Sequence, residues 1–217
     1  MALKLQKNSK LVMIGDSITD SGRARPVGEG LGGELGSGYV NLVAATLTAA
    51  CPAQRIRVVN VGSSGEQVRH LKLRWKTDVL DLKPDWLSIM IGINDVWRQF
   101  DRPLQPEQHV KLPEYERTLD ELVRATAPGL KGLVLMTPYM IEPSRRDPMR
   151  VTMDRYGAAV KKIALRHGTV FVDTQAAFDA ALKHMHPMAL AWDRIHPGLA
   201  GHMILARAFL GAIGFKG

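Results

Sequence analysis

The chain has 217 residues, 46% of them apolar and 23% charged, enough for one sizeable α/β domain with its own core. No apolar run approaches bilayer length, and the opening segment MALKLQKNSK lacks the apolar stretch of a secretory signal, so neither a membrane span nor export is expected. Its single cysteine, Cys51, has no intrachain partner, and the formal charge of +8 is interleaved with acids rather than gathered into an aromatic-studded groove; the expectation is a cytoplasmic protein with a solvated basic surface and no nucleic-acid partner.

Leu11 to Ile14 predicts a buried parallel strand, broken at Gly15 and followed by the polar cluster Asp16, Ser17, Thr19 and Asp20. Open α/β sheets bind ligands at that carboxyl edge, so Ser17 is a candidate nucleophile; the plainer alternative is a strand-end turn capped by Asp16 or Ser17. A glycine-rich loop over 21–38 follows. With Arg23, Arg25, Glu29 and Glu34 it reads as too polar for core, and its length suggests a function. A helix is expected over 39–50 and a strand over 55–61, ending in Asn60-Val61-Gly62-Ser63-Ser64-Gly65. An amphipathic helix over 66–82 carries Val68, Leu71, Trp75 and Val79 on one stripe. The next strand, 85–92, delivers Asn94 and Asp95, and 100–112 reads as irregular around Pro103 and Pro106. A helix over 113–127, a strand over 132–137, a helix over 147–167 closed by Gly168, a strand over 169–172, a helix over 174–186 and a closing helix over 198–213 complete the order. Strand and helix alternate without repeat or linker. The expectation is one α/β domain, 1–217, with a five-stranded parallel sheet in the order 2-1-3-4-5 between helix layers.

In that topology the first three strands are neighbours, so Ser17, Gly65 and Asn94 meet near the switch point. Singly, Gly65 reads as a turn glycine and Asn94 as an Asx-turn. Together they suit acyl transfer. The serine attacks while the Ser17 and Gly65 amides and the Asn94 carboxamide receive the oxyanion, Gly65 lacking a Cβ that would obstruct close approach. The base must come from seven histidines. His196 lies three residues after Asp193 in Trp192-Asp193-Arg194-Ile195-His196-Pro197, so one short loop supplies a base and a carboxylate to fix its tautomer. The other histidines read as surface or packing residues.

Gly15-Asp16-Ser17, Asn60-x-Gly62-x-Ser64-Gly65, Gly92-x-Asn94-Asp95 and Asp193-x-x-His196 together resemble the ordered blocks of the SGNH (GDSL-type) hydrolase family. Further stretches are similar to its bacterial intracellular acetylxylan esterases: Gly22 to Pro26, Ile89 to Gln99, Met136-Thr137-Pro138, Asp147-Pro148-Met149 and Ala189 to Phe209. The resemblance implies a flavodoxin-like three-layer α/β/α fold, deacetylation of xylan fragments by Ser17, His196 and Asp193, no metal or other cofactor, and a homo-oligomer as large as an octamer. One departure lies at Ser63 and Glu66-Gln67, where the pattern has a bulkier residue and Asn-Thr.

Alternatives from other classes fit less well. The α/β-hydrolase nucleophile motif lacks its second glycine and a P-loop is missing. A phosphohydrolase using Asp16 would want an acid where Ile18 stands. A flavodoxin-like binding module would not need Asp193 and His196. A zinc site from His184, His186, Asp193, His196 and His202 has no recognisable spacing. For substrate contact the candidates are Asp16, Trp97, Arg98, Tyr139 and Trp192, aromatic and guanidinium groups suiting a sugar ring. The expected substrate is a small acetylated saccharide. A short-chain carboxylesterase or a lysophospholipase-like enzyme is the runner-up.

Overall fold

Near-continuous apolar runs such as Leu11-Val12-Met13-Ile14 suit strands covered on both faces, and the sheet they build is parallel throughout. In the computed structural model, which describes residues 3–216, β1 (Lys10–Gly15), β2 (Arg57–Asn60), β3 (Trp86–Met90), β4 (Gly132–Met136) and β5 (Val170–Val172) form one sheet in the order β2-β1-β3-β4-β5. Met1, Ala2 and Gly217, the ends of the predicted domain, lie outside the described residues. Met13 pairs with Asn60 and Gly15 with Met90, which brings the carboxyl ends of β1, β2 and β3 level.

The helices are α1 (Ser17–Asp20), α2 (Tyr39–Ala50), α3 (Val68–Trp75), α4 (Ile93–Asp101), α5 (Leu112–Thr126), α6 (Pro148–His167), α7 (Thr174–Leu182) and α8 (Leu199–Ala212). α2 packs on α8 and α8 on α7, while α3 packs on α5 and α5 on α6. These two layers enclose the sheet in a three-layer α/β/α arrangement. The predicted stripe of Val68, Leu71, Trp75 and Val79 is buried, as are Met153, Tyr156, Val160, Ile163 and Ala164 of α6. No helix among the described residues is long and apolar enough to cross a membrane.

Three local features depart from expectation. The helix predicted over 66–82 changes pitch at Lys76, where a π-helical turn, Lys76–Leu80, closes with the Asp81 N–H on the Lys76 carbonyl at 2.8 Å. Residues 93–101 form α4, although Ile93, Val96, Trp97 and Phe100 already stand at helical spacing. Nor is the 21–38 loop wholly peripheral. Arg23 is buried, its Nε donating to the Gly62 carbonyl at 2.7 Å and its Nη1 to the carbonyls of Ala24 (2.9 Å) and Pro26 (2.6 Å). A long polar side chain enters the core when backbone acceptors satisfy its donors.

Candidate active site

β1 ends at Gly15, and Asp16 turns the chain into α1. Asp16 Oδ1 accepts the Ile18 N–H at 3.0 Å, an N-cap that makes Ser17 the first helical residue at the carboxyl edge of the sheet. Ser17 Oγ lies 2.9 Å from His196 Nε2. His196 Nδ1 lies 2.6 Å from Asp193 Oδ2, and Asp193 Oδ1 accepts the N–H groups of Ile195 (2.9 Å) and His196 (2.8 Å). Between them Arg194 takes a left-handed φ of 64°, which curls the loop so that the carboxylate reaches both the backbone and the ring. Its guanidinium anchors on Glu142 at 2.7 Å, and its carbonyl accepts the Ile141 N–H at 2.8 Å. Burial works against the Asp193 charge, but the imidazole and the two amides outweigh it and hold the carboxyl below its ordinary range. An ionised Asp193 takes a donor at Nδ1, which leaves the Nε2 lone pair for the Ser17 hydroxyl.

The strand-end blocks are bonded to one another. The Gly15 carbonyl accepts the Ser63 N–H at 3.0 Å, and Asn94 Nδ2 donates to the Glu66 carbonyl at 3.0 Å. Gly62 packs against the backbone of Thr19 and Asp20 so closely that a Cβ would collide with it. Asn60 donates to the carbonyls of Thr19 (2.7 Å) and Leu35 (2.9 Å), and Asp20 Oδ2 accepts from Ser64 N (3.1 Å), Ser64 Oγ (2.9 Å) and Arg25 (2.5 Å). Arg74 adds a brace, donating to the carbonyls of Val61 (2.6 Å) and Gly15 (3.1 Å) and to the Glu66 carboxylate (2.6 Å). Sequence reading singled out none of Asn60, Arg74 or Asp20 for these roles. Asn60 stands inside one of the ordered blocks and Asp20 in the polar cluster after the first strand, whereas Arg74 carries no signal beyond its charge.

Among the described residues, no hydrogen bond takes up the N–H of Ser17 or of Gly65. Gly65 has a φ of 79°, which only glycine takes without strain, and a Cβ there would meet no protein atom within 4 Å. Asn94 is buried at the second position of α4. Its amide has two N–H groups and spends one on Glu66.

The substrate-contact candidates divide. Trp97 meets the His196 ring edge-on, centroids 5.8 Å apart. Trp192 is 80% exposed. Arg98 donates to Asn94 Oδ1 at 3.0 Å and pairs with Asp101. Tyr139 and Asp16 are corrections. Tyr139 is fully buried against Phe178, with its hydroxyl on the Ile195 carbonyl at 3.2 Å, so it braces the loop that carries Asp193 and His196. Asp16 is buried and occupied as a cap, and burial pushes its carboxyl up to about 7 against the partial opposition of the Ile18 N–H. Burial likewise takes Asp95 to about 8, and its oxygens accept the Val68 N–H that opens α3. Of the histidines considered for zinc, His202 accepts the Tyr39 N–H at 3.2 Å and His186 the Met188 N–H at 3.3 Å.

This arrangement has relatives. The sequence profile of the GDSL-like Lipase/Acylhydrolase family matches residues 13–204. An acetylxylan esterase of Geobacillus stearothermophilus is 60% identical over 214 residues, 99% of this chain and 98% of the relative. The crystal structure of Axe2, an acetylxylan esterase from that organism, superposes with a TM-score of 0.97 at 60% identity, covering 98% of this chain and 97% of Axe2. Axe2 structures described as catalytic mutants replace a serine, a histidine or an aspartate by alanine. LAE5, an alpha/beta hydrolase enzyme from the metagenome of Lake Arreo, Spain, also reaches 0.97, at 57% identity over 98% of both chains. With the ordered blocks now joined at one sheet edge and the match running nearly end to end, the chain belongs to the GDSL-like lipase/acylhydrolase family.

Proposed function

We propose that this protein is a serine esterase that removes acetyl groups from small acetylated saccharides such as xylo-oligosaccharides. The observation that carries the reading is the relay of Ser17 Oγ, His196 and Asp193 at 2.9 and 2.6 Å. His196 Nε2 takes the Ser17 proton as Oγ attacks the acyl carbon, and Asp193 stabilises the imidazolium that forms. The negative charge on the former carbonyl oxygen is met by the Ser17 and Gly65 amides and the unspent Asn94 N–H. His196 then protonates the departing sugar alkoxide. In the second half it deprotonates the water that releases acetate and restores Ser17.

Two observations support a saccharide as the alcohol. A groove of about 330 Å³ lies beside the relay, lined by Trp97, Phe100, Asp101, Pro148, Met149 and Arg194. Trp97 borders His196, so an aromatic side chain adjoins the reacting centre. The acetylxylan esterase relatives act on such material by name. We read residues 1–217 as one hydrolase domain, cytoplasmic, needing no cofactor and assembling as a homo-oligomer. The test is Ser17→Ala assayed on p-nitrophenyl esters from acetate to octanoate beside acetylated xylo-oligosaccharides. The variant should fold and lose nearly all turnover, and the parent should prefer acetate. Octanoate turned over faster than acetate, with acetylated sugars untouched, would reject the carbohydrate assignment and leave the esterase.

A further inference from the structure

In the proposed reaction Asn94 supplies the one side-chain donor to the oxyanion, so the direction in which its carboxamide faces decides whether that donor exists. An asparagine amide turned by half a rotation has nearly the same shape but offers a carbonyl oxygen where the N–H was. That oxygen would repel a developing oxyanion. Two bonds decide between the orientations. Nδ2 donates to the Glu66 carbonyl at 3.0 Å, and Oδ1 accepts from Arg98 Nη2 at 3.0 Å. Reversing the amide would set its N–H₂ against a guanidinium that can only donate and its oxygen against a carbonyl that can only accept.

Arg98 is equipped to hold that position. It lies four residues beyond Asn94 on α4, one turn along the same face. Its Nη1 pairs with Asp101, its guanidinium carbon sits 4.6 Å from the Trp97 ring centroid, and its side chain is only 16% exposed. Both anchors come from the same helix, so the guanidinium is fixed before substrate arrives. A cation on Oδ1 also draws electron density from the amide and strengthens the remaining N–H as a donor.

We propose that Arg98 is a positioning residue for the oxyanion hole: held by Asp101 and Trp97, it locks the Asn94 carboxamide with one N–H free for the reacting oxygen. The proposal rests on the reading of Asn94 as an oxyanion donor. It replaces a role for Arg98 as a direct saccharide contact.

The experiment is a double-mutant cycle of Arg98→Ala and Asn94→Ala, with Asp101→Asn as a milder variant, assayed on p-nitrophenyl acetate and on an acetylated xylo-oligosaccharide. p-Nitrophenyl acetate has no sugar, so a saccharide contact cannot affect it. Arg98→Ala should lower kcat on both esters by roughly tenfold to a hundredfold with KM little changed. The double variant should match Asn94→Ala alone. Asp101→Asn should give a smaller loss of kcat that vanishes in the Asn94→Ala background, an arm that holds even if Arg98→Ala folds poorly. Additive losses in the double variant, or a rise in KM on the sugar ester alone, would overturn the proposal while leaving Asn94 in place. An unchanged kcat in Asn94→Ala would instead overturn the oxyanion assignment on which it depends.

Discussion

A hydrogen bond of 2.6 Å between His196 Nδ1 and the Asp193 carboxylate is worth something only while the oxygen accepts and the ring donates. Asp193→Asn should keep the loop, since the side-chain oxygen can still accept the Ile195 and His196 amides. The amide nitrogen would then favour the wrong tautomer of His196. We expect kcat to fall by about 10³–10⁴ with little change in melting temperature; a loss under tenfold would mean that Asp193 only shapes the loop. Gly65 tests a different term. Its φ of 79° strains any side chain although the space is open, so Gly65→Ala should lower kcat through a displaced amide and cost about 1 kcal/mol in stability. Unfolding in denaturant measures the second effect and turnover the first. Asn60 and Gly62 stood inside recognisable motifs and Asp20 in the polar cluster after the first strand, but their tasks were not legible: each bonds or packs across tens of residues, and no local pattern records the partner.

At the level of elements, α2 and α8 meet through a histidine. His202 in α8 accepts the N–H of Tyr39, the first residue of α2, which has no partner inside its own helix. Burial, reinforced by the nearby His196, takes the His202 ring down to about 4. The folded value lies below the unfolded one, so between about 6.5 and 4 the unfolded chain binds more protons and stability falls as pH falls. Asp16 and Asp95 act in the opposite sense, because burial raises them above their unfolded values. Comparing the parent with His202→Gln cancels those contributions. The parent should lose roughly 3 kcal/mol relative to the variant on going from pH 7 to pH 4, read as the difference between two urea midpoints. A constant difference would show that the ring titrates alike in the folded and the unfolded chain. Helix α4 teaches a related lesson. Its apolar spacing was present, but only two residues separate it from β3 and it has no polar cap, since Gly92 with φ 131° caps it. Asn94 and Arg98 face each other only because this stretch is helical.

For the whole molecule, Asp193 and His196 bond each other and His202 bonds a backbone N–H, and the proposed reaction runs on acid–base groups. EDTA followed by dialysis should leave turnover unchanged; restoration by zinc or manganese would demand another site. Trp192 and Leu104 are 80% and 92% exposed, and Met188 is 71% exposed. Such apolar surface favours self-association, and light scattering should return a mass well above the 23.9 kDa of one chain; a flat monomer mass at all concentrations would refute it. Sequence alone determined the strand order and singled out Ser17, His196 and Asp193, the residues of the proposed relay, because hydrophobic periodicity and short motif spacings are local and survive without a partner. Only tertiary structure decided that Tyr139 and Asp16 are buried, that Arg23 is interior, and that Arg98 bonds the Asn94 side chain. Those facts turn on burial and on which donor meets which acceptor, and both are set when distant segments pack together.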